Sequence, residues 1–110
     1  MKIIWHKKRY IGENAKKRQK EAEKAVENLR PFPGVYVITF SMGGNNVFDI
    51  YPLETLLAGW FPKKEISVPG LALGYGEALK LAGQMTGDLY HLTGGFDPAA
   101  FFGPEDAGSE

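Results

Sequence analysis

Val35-Tyr36-Val37-Ile38-Thr39-Phe40 is β-branched or aromatic at every position, and such a run is a strong strand signal. Alternation puts Val35, Val37 and Thr39 on one face and Tyr36, Ile38 and Phe40 on the other. Both faces are therefore expected to be at least partly covered. The loop Ser41-Met42-Gly43-Gly44-Asn45-Asn46 supplies turn residues, and Val47-Phe48-Asp49-Ile50-Tyr51 returns as a second strand. The pair reads as a β-hairpin with a loop longer than two residues.

Toward the C-terminus, Pro52 suits the first turn of a helix, and Leu53, Leu56, Leu57 and Trp60 follow at helical spacing up to Pro62. Gly59 weakens that helix, and 52–61 has the prolonged hairpin strand as its alternative. Lys63-Lys64-Glu65 is an exposed link. Ile66 to Leu73 reads as a strand, and Pro69-Gly70 inside it points to an edge position or a bulge. Gly74-Tyr75-Gly76 turns the chain into a helix that opens near Glu77 and runs to about residue 93, with Ala78, Leu81, Ala82, Met85, Leu89 and Leu92 as its apolar face. Gly94-Gly95 supplies a left-handed exit. Asp97-Pro98 starts a short turn carrying Phe101 and Phe102, and 105–110 reads as a flexible acidic tail.

Toward the N-terminus, Pro31-Phe32-Pro33-Gly34 is a break. Before it, residues 13–29 are rich in helix formers, with Ile11, Ala15, Ala22, Ala25, Val26 and Leu29 mostly on a narrow stripe interrupted by Arg18. Residues 2–6 read as a short strand. Their alternative is a continuous helix from residue 3, because Ile4, Lys8, Ile11, Ala15, Arg18, Ala22, Ala25 and Leu29 follow heptad spacing.

This order predicts an α+β domain over 1–104: an antiparallel sheet of three or four strands with helices packed on one side. A basic helical segment, 1–30, fronts it. Ferredoxin-like βαββαβ plus a C-terminal helix is one candidate topology.

The apolar and charged fractions, 44% and 24%, are those of an ordinary folded domain, and 110 residues suffice for one core. Cysteine is absent, which removes disulfides, thiol catalysis and thiolate metal sites. No apolar run reaches membrane length and Ile3-Ile4-Trp5 is too short for a signal peptide, so a cytoplasmic protein without membrane partners is expected. The net charge of zero conceals a division. Residues 1–30 hold ten Lys and Arg against four Glu, a balance of +6; the rest balances at −6. The two parts are expected to attract within or between chains.

Candidate chemistry is sparse. His91 has Asp88 three residues before it, yet a surface histidine beside a carboxylate is the simpler reading. His6 sits among Lys and Arg. Ser41 or Ser67, His91, and Asp49 or Asp97 make a triad only on paper, since no nucleophile-elbow motif accompanies them. No catalytic residue, metal ligand or cofactor is assigned. Gly74, Tyr75 and Gly76 form a strand-to-helix turn whose amides suit an anion. Glu77 opposes that use, the P-loop and dinucleotide spacings are absent, and a tight turn is the favoured reading. Lys7, Lys8, Arg9, Lys16, Lys17, Arg18 and Lys20 form the basic set available to a nucleic acid or a protein partner, with Trp5 and Tyr10 as stacking rings.

Lys63 or Lys64, Ile66, Val68, Gly70, Ala72, Gly74, Tyr75, Glu77, Ala78 and Leu79 follow a K-x-x-I-x-V-x-G-x-A-x-G-Y-x-E-A-L pattern. The latter half of the chain thereby resembles small bacterial proteins of unassigned function; that resemblance implies no activity, cofactor or catalytic residue. Together these features predict a non-catalytic binding or interaction module that self-associates as a homodimer or higher oligomer. Nucleic-acid binding through the basic segment is the alternative, and small-ligand or anion binding at Gly74–Glu77 is a further one.

Overall fold

The computed structural model describes residues 1–41, 47–59 and 64–98. Most of the hairpin loop 41–46, Trp60-Phe61-Pro62, Phe101-Phe102 and the 105–110 tail lie outside the described residues. The elements run β1 (Lys2–Ile11), α1 (Glu13–Lys16), α2 (Gln19–Glu27), β2 (Val35–Phe40), β3 (Phe48–Pro52), α3 (Leu53–Leu57), β4 (Glu65–Leu73) and α4 (Tyr75–Thr93). The four strands form one sheet in the order β1-β4-β2-β3. The hairpin expected at 35–51 is present as the antiparallel β2–β3 pair.

The sheet is mixed, not antiparallel throughout: β2 pairs antiparallel with β3 and β4, whereas β1 and β4 run parallel. Helices also cover both faces instead of one. Val35 and Val37 share a core with Ala15, Ala22, Ala25 and Val26 of α1 and α2 and with Leu53 and Leu56 of α3. Ile38 faces the other way, into a core with Ala78, Leu81, Met85 and Leu89 of α4. The cause is visible in β2 and β4, which are apolar on both sides and stay out of water only between two helical layers. The ferredoxin-like arrangement is not confirmed.

Ile66 to Leu73 is central rather than an edge, and its residues 66–72 are all buried. Pro69 cannot donate to a ladder. The irregularity that accommodates it falls partly on the neighbour: pairing runs from Lys2↔Glu65 to Trp5↔Val68 and resumes at Tyr10↔Gly70. β4 itself changes parity there, since Ile66, Val68 and Leu71 all reach the same core. Gly70 is required by contact. A Cβ at this position would lie 2.9 Å from the Met85 sulfur and 3.0 Å from Ile38 Cβ.

The strand expected at 2–6 is present and extends to Ile11, which rules out its alternative, a continuous helix from residue 3 on heptad spacing, and the helical character given to the whole of 1–30. Pairing with β4 holds the two ends of β1, at Lys2 to Trp5 and at Tyr10 and Ile11. The 13–29 helix is divided at Arg18, whose φ of −133° is not helical. α2 ends in a Schellman-type closure: the Arg30 amide donates to Ala25 O at 2.8 Å and the Leu29 amide to Val26 O at 3.2 Å. Leu29 takes the left-handed position (φ 51°) that glycine usually fills. That conformation costs about 1–2 kcal/mol, offset by packing of the Leu29 side chain on the first core. In the second alternative, β3 extends through Pro52 and a short helix follows at Leu53–Leu57. α4 opens at Tyr75, two residues before the expected start, and ends on Gly94 at φ 77°. None of the helices among the described residues is long and apolar enough to cross a membrane.

Candidate binding groove

The N-terminal basic segment folds back on itself before it meets the body. β1 and α2 are joined by Arg9 Nε to Glu23 Oε2 at 2.9 Å and by Trp5 Nε1 donating to Glu27 Oε1 at 2.7 Å. The spacing explains the match, since Trp5 and Arg9 are four apart on β1 and Glu23 and Glu27 are four apart on α2. Arg9 also lies 5.2 Å from the Trp5 ring centroid. Arg18 pairs with Glu21 at 2.6 Å and lies 4.7 Å from the Phe32 ring centroid. These two ion pairs stay within residues 1–30. The segment joins the body through the core that Ala15, Ala22, Ala25 and Val26 share with the sheet, through β1–β4 pairing and through polar contacts.

Glu77 is the principal such contact. Its carboxylate accepts from the amides of Asn14 (2.7 Å) and Ala15 (3.2 Å) at the start of α1, and from that of Leu73 (2.8 Å) at the end of β4. α1 has no side-chain cap of its own at Gly12, so a residue 65 positions along the chain caps it. Gly12 permits the approach: a Cβ there would sit 2.3 Å from a Glu77 oxygen. Tyr10 supplies a second tie, its hydroxyl donating to Asp88 Oδ2 at 2.6 Å. Burial, followed by the Asp88 hydrogen bond and charge, pushes the Tyr10 phenol up to about 12, so it remains the donor at neutral pH.

These contacts frame a groove of about 820 Å³ between the end of β1, α1 and the first half of α4. Lys8, Arg9, Lys16 and Lys80 supply its positive charge, and Glu13 and Glu77 its negative charge. Tyr10, Asn14, Gly76 and Gln84 complete the polar lining, with Ile11 and Leu81 apolar. Arg9 is neutralised by Glu23, and Glu77 is engaged by three amides. Lys8, Lys16 and Lys80 share the lining with Glu13.

The glycine-turn residues separate. Gly74 has φ 102°, the geometry for which only glycine is comfortable, and its amide donates to Gly34 O at 2.6 Å. Tyr75 is exposed and its ring lies 5.6 Å from that of Tyr36. Only Gly76 lines the groove. Of the basic set, Lys8, Arg9 and Lys16 line it, whereas Lys7, Lys17, Arg18 and Lys20 are exposed outside its lining. Sequence reasoning missed Lys80 and Gln84. Both lie off the apolar face of α4, but nothing in the spacing places that flank opposite the end of β1.

The other candidates do not assemble. Asp88 is engaged by Tyr10, and His91 is exposed with its ring against Tyr90. Asp49 accepts from the Tyr51 hydroxyl at 3.3 Å, and Ser67 is buried in β4. His6 is buried at 3% exposure, its ring 5.5 Å from Phe40 and edge-on, and burial lowers its pKa. Among the described residues no group of three or more His, Cys, Asp or Glu is arranged to hold a metal ion. A second groove, of about 630 Å³, is lined among the described residues mainly by Met1, Leu29, Pro31, Leu56 and Leu57, with Lys64 beside them. No family model matches the chain, and neither a curated protein nor a solved structure matches it.

Proposed function

We propose that this chain is a non-catalytic binding module that receives a phosphate-bearing ligand in the β1–α1–α4 groove. The observation that carries it is the convergence of Lys8, Lys16 and Lys80 with Gly76 on one open depression of about 820 Å³. Lys8 and Lys16 belong to the basic set expected to meet polyanions, and Gly76 to the turn expected to meet an anion. The groove is wide and its cations are spread, which favours an extended anion over one enclosed phosphate. Glu77 faces α1, and its charge disfavours an anion at the glycine turn itself; the cations lie farther along the groove. Tyr10, with its hydroxyl on Asp88, offers a ring at the same wall.

The test is titration with tripolyphosphate in one arm and a short single-stranded oligonucleotide in the other, at low and high salt. Three lysine contacts to a single strand predict a salt slope of about −2, and each lysine-to-glutamate reversal at Lys8, Lys16 or Lys80 is expected to weaken binding about tenfold. Binding of the oligonucleotide alone assigns the ligand to nucleic acid; binding of both assigns it to phosphate chemistry at large. Neither probe binding at low salt, or binding unaffected by all three reversals, refutes the proposal.

A further inference from the structure

Lys16 lines the groove, and the cations continue beyond it. α2 runs back along β1, with Glu23 at Arg9 and Glu27 at Trp5. Its first turn, which carries Lys20, therefore lies at the groove end of β1, and Lys24 follows about 6 Å further along the helix axis. At about 3.6 residues per turn both lysines stand opposite the buried Ala22, Ala25 and Val26, and both are exposed. The carboxylates of the same helix are drawn aside. Glu21 pairs with Arg18, Glu23 with Arg9, and Glu27 accepts from the Trp5 indole. Each ion pair removes one charge of either sign, so the +6 balance of residues 1–30 survives folding. Among the described residues, Lys16, Lys17, Lys20 and Lys24 make no ion pair.

We propose that a single-stranded nucleic acid occupies this surface, its backbone leaving the groove at Lys16 and crossing α2 over Lys20 and Lys24. The inference rests on the phosphate reading of the groove and names the class of its ligand. Charge complementarity calls for a polyanion, because lysines at successive points along one line match a chain of phosphates better than one compact anion. The fold calls for a flexible one. Lys80 stands on α4, which packs on one face of the sheet, whereas α2 packs on the other. β1 is the edge strand that separates them. A backbone that meets both groups of lysines must turn around that edge within a few nucleotides. A duplex, with a persistence length of about 150 base pairs, resists such a turn and a single strand does not. Tyr10 at the groove wall offers a ring to a base, for which an acidic peptide has no counterpart.

Fluorescence anisotropy with a labelled oligothymidylate of about 15 nucleotides tests it, beside tripolyphosphate, polyglutamate and a blunt duplex of the same length. Contacts to Lys8, Lys16, Lys80, Lys20 and Lys24 predict a salt slope of about −3.5 for the single strand. Replacing Lys20 and Lys24 together by alanine is expected to bring that slope to about −2 and to weaken strand binding about tenfold, while tripolyphosphate binding stays within about twofold. Both side chains are exposed, so the thermal midpoint should not move. Lys64→Glu, just before β4 at its end away from Gly74, controls for net charge and should leave strand binding unchanged. If neither tripolyphosphate nor the strand binds the wild type, the groove reading falls and this inference with it. Strand binding that weakens on Lys8→Glu but keeps its affinity and slope in the double-alanine variant overturns this inference alone. So does a duplex or polyglutamate that binds as tightly as the single strand.

Discussion

Replacing Glu77 by alanine removes the cap of a helix that Glu77 does not belong to. The carboxylate accepts three amide hydrogens, at 2.7, 3.2 and 2.8 Å. The Asn14 end is exposed and water can replace it there; the Ala15 and Leu73 amides are partly buried and lose more. An N-cap is worth about 0.5–2 kcal/mol, and hydrogen bonds to a charged group about 1.5–3 kcal/mol where burial excludes water. Discounted for exposure, Glu77→Ala is expected to cost about 2–3 kcal/mol. Glu77→Gln keeps the acceptor and loses the charge, for about 1 kcal/mol. In a domain of this size the alanine variant should lose roughly 10–20 °C of thermal midpoint. Urea unfolding with wild type and both variants measures these differences. Gly12→Ala closes a double-mutant cycle, because its Cβ would lie 2.3 Å from Glu77 Oε2. It should be costly in the wild type and milder in the Glu77→Ala background, a coupling of about 1–2 kcal/mol. Glu77→Ala within about 0.5 kcal/mol of wild type, with no coupling to Gly12, would refute the capping account.

Gly70→Ala places a methyl 2.9 Å from the Met85 sulfur and 3.0 Å from Ile38 Cβ, and overpacking of this kind should cost about 1–3 kcal/mol by urea unfolding. Tyr10 has its folded pKa raised to about 12 from 10.0. Its contribution is therefore complete below pH 10 and is lost as pH rises toward 12; Tyr10→Phe should flatten that alkaline decline and cost about 1–2 kcal/mol at pH 7. His6 has its folded pKa lowered from 6.5 by burial, so the unfolded chain takes up the proton first. Stability should fall as pH drops below about 6.5, and His6→Phe should remove part of that slope in a pH series of denaturation curves.

The elements were largely legible in the sequence because each follows from local periodicity. VYVITF declares β2, the Leu81, Met85 and Leu89 spacing declares α4, and Gly94 closes it in the left-handed conformation that its lack of Cβ permits. β1 was legible only to His6. Beyond it, Lys7-Lys8-Arg9 has no strand pattern, and β1 resumes its pairing with β4 only at Tyr10 and Ile11. The same holds for Ile66 to Leu73. Pro69-Gly70 argues locally for an edge or a bulge; the strand is central, and the register irregularity beside Pro69 matches the second alternative.

The groove shows the same division. Sequence identified lysines near the N-terminus and a glycine turn in the middle, since charge and composition are local properties. It did not show that Glu77 crosses to α1, that Tyr10 reaches Asp88, or that Lys80 and Gln84 stand opposite β1. Those relations depend on which faces two helices present to one sheet, and burial of the two-sided strands β2 and β4 decides that. What the sequence determined by itself was the set of elements, the basic character of residues 1–30 and the absence of thiol chemistry. Only the tertiary structure decided the parallel β1–β4 pairing, the two-sided core and the groove, because contacts between distant residues are selected by packing and hydrogen-bond satisfaction across the whole chain.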